Sequence, residues 1–178
     1  QCKAGVDILQ LREKRKSPRE LLALAKKIRE ITAKFNVIFI VNDDLSIAQL
    51  SNADGVHLGQ DDIPVSEARM LLGNKKIIGL STHNIKQYKL AQTFDCIDYT
   101  AIGPIFKTTT KDNPSPVVGL SKLNNILKYK QKFTVAIGGI NLENIDKIAK
   151  FQEIDAIAIV SAIVSSTNIN FTVKQITT

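Results

Sequence analysis

Seven short runs of apolar residues, rich in Val and Ile, recur along the chain, and most end in a cluster of polar residues or glycines. The runs cover residues 6–10, 37–41, 55–58, 77–81, 99–105, 134–137 and 156–160. Short runs of this kind are the mark of strands buried on both faces. Amphipathic stretches lie between them, at 17–34, 45–51, 65–72, 85–93, 120–130 and 142–150, with a last one beginning near Ala162. The clearest opens on Ser17-Pro18, an N-cap followed by proline at the first helical position, and its Leu21, Leu24, Ala25, Ile28 and Ile31 follow helical spacing. Strand–helix alternation on so short a repeat predicts βαβ units and a parallel sheet.

A parallel sheet can be an open doubly wound sheet or a closed barrel, and the glycines discriminate. Doubly wound folds place phosphate-binding glycines after the first strand. Here the Gly138-Gly139 pair follows the next-to-last run, and Val160-Ser161 closes the last. Phosphate binding after the last two strands is the habit of the (β/α)8 TIM barrel, which is the expected fold. A barrel needs an eighth strand, and residues 1–5 read as the tail of a helix. The first strand and most of the first helix are therefore expected to be missing from this sequence, residues 1–178 forming a single, N-terminally incomplete barrel domain.

Composition narrows the function classes. The 44% hydrophobic and 23% charged shares are those of a soluble globular domain, and no apolar run approaches the length that crosses a bilayer. Cys2 and Cys96 lie far apart and outside any metal-ligand spacing, which suits a reduced, cytoplasmic protein. The net charge of +7 is spread over helix faces without an aromatic platform, so nucleic acid is not expected as a partner, although the field favours anionic substrates.

In a parallel β/α protein the C-terminal strand ends all point to one side, so clusters distant in sequence converge there. The first cluster is Gln10-Leu11-Arg12-Glu13-Lys14. Alternation puts Gln10, Arg12 and Lys14 on one side, Leu11 and Glu13 on the other. Arg12 offers a planar fork for phosphate oxygens and Lys14 a compact charge. In Asn42-Asp43-Asp44 the helix cap is given to Asp44, which leaves Asp43 at the strand end. Asp61 and Asp62 follow the next strand, and chemistry alone does not separate them. Two carboxylates from neighbouring strands suit Mg²⁺, which takes hard oxygen ligands and bridges to substrate phosphates. Ser81-Thr82-His83 supplies hydroxyls; His83 is left unassigned, and His57, inside an apolar run, reads as a core residue. Thr108, Thr109, Thr110 and Lys111 form a loop suited to anions, and residues 112–116 read as a mobile segment able to close over the site. Gly138-Gly139 lets the backbone approach an anion closely.

These clusters, in this order, resemble the thiamine-phosphate synthase (thiamin-phosphate pyrophosphorylase) family. The resemblance is carried by residues 10–14, Asn42-Asp43, residues 55–60 with Asp62, Ser81-Thr82-His83, residues 103–106 and 136–140, and it extends from Gly5 to Ala162. It implies a (β/α)8 barrel that joins 4-amino-5-hydroxymethyl-2-methylpyrimidine diphosphate to 4-methyl-5-(2-phosphoethyl)thiazole phosphate, giving thiamine phosphate and diphosphate. Carried over by position, it implies that Gln10, Leu11, Arg12, Glu13, Lys14, Asn42 and Ser81 hold the pyrimidine diphosphate. Asp43 and Asp62 would ligate Mg²⁺, which selects Asp62 over Asp61. Thr108, Thr109 and Thr110 would face the thiazole, with Lys111 on the diphosphate, and Gly138, Val160 and Ser161 would receive the thiazole phosphate. Arg12, Lys14 and Lys111 would stabilise the departing diphosphate. The expected partners are these two small phosphorylated substrates, and a homo-oligomer is compatible with the sequence.

The chain departs from the family at Lys107, where proline is common before the Thr-rich loop. A related barrel, the thiazole tautomerase, carries a catalytic histidine in the region of residues 103–106, where this chain has Pro104. That difference, and both acidic metal positions, favour the synthase over the tautomerase, and the intact Arg12, Asp43, Asp62 and Lys111 favour it over a non-catalytic phosphate-binding protein.

Overall fold

Alternation along each strand decides which side chains meet the helices and which meet the barrel axis. The computed structural model describes residues 1–108 and 115–177. Its strands are β1 (Ile8–Leu11), β2 (Ile38–Asn42), β3 (Gly55–Leu58), β4 (Ile77–Thr82), β5 (Tyr99–Ile102), β6 (Phe133–Ile137) and β7 (Ala156–Ala158). All six pairings are parallel, and the strands lie in strictly sequential order from β1 to β7. A doubly wound sheet reverses its strand order at a switch point; this sheet does not, and it is the wall of a β/α barrel with β1 and β7 at its two edges.

A short 3-10 turn, Cys2–Ala4, precedes β1. The helices are α1 (Pro18–Lys34), α2 (Leu45–Leu50), α3 (Val65–Leu72), α4 (Ile85–Ala91), α5 (Leu120–Leu127), α6 (Ile145–Ile148), α7 (Ser161–Val164) and α8 (Ile169–Thr177). Leu11, Phe39, Val41, Val56, Leu58, Ile78 and Leu80 point outward and pack with Ala25, Ala48 and Ala68 of the first three helices. Ile102 and Ala136 do the same with Leu123, Ile126, Leu127 and Ile148. The opposite alternation turns Gln10, Asn42, His57, Gly79, Ser81 and Tyr99 toward the axis.

One device at the other end of the barrel repeats three times. Asp54, Asp98 and Asp155 each stand just before an odd-numbered strand and accept the N–H of the second residue of the preceding strand. The acceptor distances are 2.8 Å from Phe39 N, 2.7 Å from Ile78 N and 2.8 Å from Thr134 N. Each carboxylate also takes a cation: Arg29 at 2.6 Å, Arg69 at 2.7 Å and Lys130 at 2.7 Å. A strand, its neighbour and a helix or the turn after it are tied at one point, which pins the strand register.

The sequence-based elements hold with instructive differences. The α1 stripe runs through Leu21, Ala25, Ile28 and Thr32, so Thr32 is buried while Ile31 is 49% exposed. The hydroxyl of Thr32 meets its burial by donating to the Arg29 carbonyl at 3.0 Å. β5 ends at Ile102, before residues 103–105, because Pro104 follows Gly103 and has no N–H to continue a ladder. The stretch 142–150 yields only the single turn α6: Asn144 accepts from Asn141 N at 2.9 Å and donates to the Gly139 carbonyl at 2.9 Å, local bonds that compete with a longer helix. The last helical stretch is divided into α7 and α8.

Candidate functional site

The C-terminal strand ends enclose a cavity of about 850 Å³, in the range that takes small organic ligands. Arg12 and Lys14 reach it from β1, Asn42 and Asp43 from β2, Asp61 and Asp62 from beyond β3, and Ser81 and His83 from β4. Residues 115–118 and Lys122 of α5 close the far wall.

The acidic pair is assembled by local chain geometry. Asp44 caps α2, its carboxylate accepting from Ile47 N at 2.9 Å. Asp43 is thereby left to the cavity. It adopts φ 65, a left-handed conformation that Asp tolerates better than most residues, and its N–H donates to the His57 carbonyl at 2.9 Å. Lys14 Nζ lies 2.7 Å from Asp43 Oδ2. Asp62 folds back so that its Oδ2 accepts from Gly59 N at 2.6 Å, and its carboxyl stands close enough to that of Asp43 for each to shift the other's ionisation. A side chain at residue 59 would crowd that carboxylate, with Asp62 Oδ2 only 3.1 Å from a Cβ placed there.

Two carboxylates in contact do not ionise alike. Burial pushes Asp43 up, but hydrogen bonds from Lys14 and Asp62 and the charges of Lys14 and Arg12 outweigh it, holding Asp43 below the usual carboxylate range. Burial also raises Asp62, and the hydrogen bond and charge of Asp43 add to it, against the Gly59 N–H and Lys14. The pair is thus arranged to hold a cation between its oxygens, proton or metal. Among the described residues no group of three or more His, Cys, Asp or Glu side chains comes together. A two-carboxylate site fits Mg²⁺, which commonly binds through one or two carboxylates and completes its shell with water and substrate phosphates, and does not fit a metal that wants an all-protein cage.

The cavity therefore unites Arg12, Lys14, Asn42, Asp43, Asp62 and Ser81 of the expected site. Gln10 shares the axis-facing side of β1 but does not line the cavity, the Leu11 side chain packs in the helix-facing core, and Glu13 accepts from Arg15 N at 2.8 Å. Thr108 is half-buried, whereas Thr109, Thr110 and Lys111, with residues 112–114, lie outside the described residues. Val160 and Ser161 sit beyond β7 at the start of α7, on the same end of the barrel but outside the cavity wall. Gly138 follows β6 at φ 91 and Gly139 lies at φ 70. A Cβ on Gly138 would come within 2.5 Å of Pro104, and one on Gly139 within 2.5 Å of the Lys107 carbonyl. The glycine pair is required by the segment that crosses over it, quite apart from any anion.

Both histidines line the cavity. His57 is buried, as expected for a core position, yet it is hydrogen-bonded to the site: Nε2 lies 2.8 Å from Ser81 Oγ and Nδ1 2.8 Å from the Tyr99 hydroxyl. His83 Nδ1 lies 2.6 Å from the Gly103 carbonyl, which can only accept, so Nδ1 carries the proton and Nε2 is left toward the cavity. Gln60 donates to the Ser81 carbonyl at 2.7 Å. Nothing in the local sequence around His57 or Gln60 signals these contacts, because each bridges to another strand.

Fold and site together define a β/α-barrel protein whose carboxylates, cations and hydroxyls meet at the C-terminal strand ends. The family model described as thiamine monophosphate synthase matches residues 1–163. The thiamine-phosphate synthase of Dictyoglomus thermophilum is 44% identical over 97% of this chain and 77% of its own length. That of Clostridioides difficile is 43% identical over 97% of this chain and 80% of its own length. Among solved structures, a thiamine phosphate pyrophosphorylase from Pyrococcus furiosus superposes with a TM-score of 0.90 at 30% identity, covering 99% of this chain and 83% of that one. A phosphoribosyl anthranilate isomerase from Thermotoga maritima shares the fold alone, with a TM-score of 0.70 at 16% identity. The chain belongs to the thiamine monophosphate synthase family.

Proposed function

We propose that this chain is a Mg²⁺-dependent thiamine-phosphate synthase, a transferase that joins the pyrimidine diphosphate to the thiazole phosphate and releases diphosphate. The observation that carries the reading is the contact between Asp43 and Asp62 from neighbouring strands, with Lys14 and Arg12 beside them, in a cavity sized for a small ligand. Asp43 and Asp62 are the residues that would hold Mg²⁺, which would supply charge neutralisation for the diphosphate.

The protein's own part is positioning and electrostatics. Arg12 and Lys14 grip the diphosphate oxygens, joined by Lys111, and Asn42 and Ser81 complete its hydrogen bonding. As the bond between the pyrimidine methylene and the diphosphate oxygen breaks, the electron pair leaves with the diphosphate, where these cations stabilise it. The aminopyrimidine ring carries the positive charge, and the thiazole nitrogen donates its lone pair to form the new C–N bond. No protein nucleophile takes part. Thr108, Thr109 and Thr110 face the thiazole, and Gly138, Val160 and Ser161 receive its phosphate.

The test incubates the protein with both substrates and Mg²⁺ and follows thiamine phosphate by mass spectrometry. Product dependent on both substrates and on Mg²⁺ supports the reading. Conversion of the thiazole alone points to a tautomerase, and saturable binding without product to a non-catalytic protein.

A further inference from the structure

Three axis-facing residues lie side by side in the register of consecutive strands: His57 of β3 pairs with Gly79 of β4, and Gly79 with Tyr99 of β5. Gly79 has no side chain, and the Tyr99 ring occupies the space above it; a Cβ at residue 79 would overlap the ring. Tyr99 therefore reaches across a whole strand and stacks on His57, ring centroids 5.5 Å apart. The chain of contacts continues from the Tyr99 hydroxyl to His57 Nδ1 at 2.8 Å and from His57 Nε2 to Ser81 Oγ at 2.8 Å, ending at the cavity.

We propose that Tyr99 and His57 are positioning residues that orient the Ser81 hydroxyl so that it donates its hydrogen into the cavity. A neutral imidazole has one donor and one acceptor, so the chain can run in either of two directions. In one, Tyr99 O–H donates to Nδ1, Nε2–H donates to Ser81 Oγ, and the Ser81 hydrogen is free for a ligand. In the other, Ser81 donates to Nε2 and Nδ1–H donates to the phenol, so Ser81 offers only lone pairs to the cavity. The structure selects the first. Among the described residues, the only hydrogen-bond partner of the Tyr99 hydroxyl is His57 Nδ1. The reverse direction would leave a buried O–H without an acceptor, which folded proteins avoid. Burial and the neighbouring Asp98 push the Tyr99 phenol far above its ordinary value, so it keeps its hydrogen. A diphosphate oxygen can only accept, so an outward-donating Ser81 is complementary to it and an inward-donating one is not. The link to diphosphate rests on the function proposed above; the direction of the chain does not.

The chain has two histidines, and the structure gives them opposite tautomers: Nε2–H at His57, Nδ1–H at His83. Nitrogen-15 NMR of the imidazoles in the wild-type protein reads both, with His83→Asn assigning the signals. Tyr99→Phe keeps the ring and removes the donor, and the His57 signals should then shift to a mixture of tautomers. In calorimetry with inorganic diphosphate and Mg²⁺, Ser81→Ala should weaken binding about tenfold, the worth of one hydrogen bond to a charged group, and Tyr99→Phe by a smaller factor, because a mixture of tautomers still offers the Ser81 hydrogen in part of the population. The double variant should lose no more than Ser81→Ala alone. An Nδ1–H tautomer at wild-type His57, or losses that multiply in the double variant, would overturn the proposal. Failure to form thiamine phosphate with the tautomers and the non-additivity intact would remove the proposed activity and leave the positioning chain standing.

Discussion

Lys14 Nζ and Asp43 Oδ2 lie 2.7 Å apart, joining the end of β1 to the end of β2 at the rim of the cavity. Lys14 is 60% exposed and Asp43 27%, so the pair contributes little to stability and is free to exchange partners. A lysine that neutralises a carboxylate in the free protein can turn to a diphosphate once a metal takes the carboxylate. In the proposed function the contact is a resting arrangement that ligand binding would break.

Asp43→Asn should abolish Mg²⁺-dependent turnover, lowering diphosphate release on the order of 100-fold or more through loss of charge stabilisation. Asn tolerates the left-handed conformation at residue 43, so the far-ultraviolet circular dichroism and urea midpoint should stay close to wild type. Diphosphate release at the wild-type rate would remove Asp43 from the metal site.

Asp98→Ala should destabilise the protein by about 1–3 kcal/mol, because the buried Ile78 N–H loses its acceptor. Arg69 loses its carboxylate partner in the same step. Urea unfolding should show a lower midpoint at unchanged slope.

Gly79→Ala should cost about 1–3 kcal/mol through overpacking, since the new methyl overlaps the Tyr99 ring. The ring has to leave its stack on His57, so the imidazole NMR signals of His57 should move with the loss of stability. An unchanged His57 signal in a destabilised Gly79→Ala protein would mean that the ring is held by something other than this space.

The start of α1 should carry a small acid-sensitive contribution. Ser17 donates to Glu20 Oε2 from its hydroxyl at 2.7 Å and from its backbone N–H at 3.0 Å. These bonds, with the charge of Lys16, lower Glu20 below its ordinary value of 4.5. A depressed folded-state value means the contribution is present above 4.5 and is lost as pH falls through the folded value. The stability difference between wild type and Glu20→Gln, measured by urea unfolding at several pH values, should therefore be largest near neutrality and fade in acid.

The amino-acid sequence determined the alternation of elements and the chemistry of each strand end, because both depend on neighbours along the chain. Apolar period marks strands and helices locally, and Ser17-Pro18 starts α1 by the chemistry of a single turn. Capping logic separated Asp44 from Asp43 for the same reason. Tertiary structure alone decided which groups touch. The Tyr99–His57–Ser81 chain needs the register of three strands, and the glycine pair needs the segment of residues 104–107 lying across it. His83 finds its acceptor on the next strand's exit, and Ile31 is exposed because α1 turns Thr32 inward instead. A contact between strands is set by sheet register and by the space one residue leaves for another. Neither quantity is written in the order of residues around either partner.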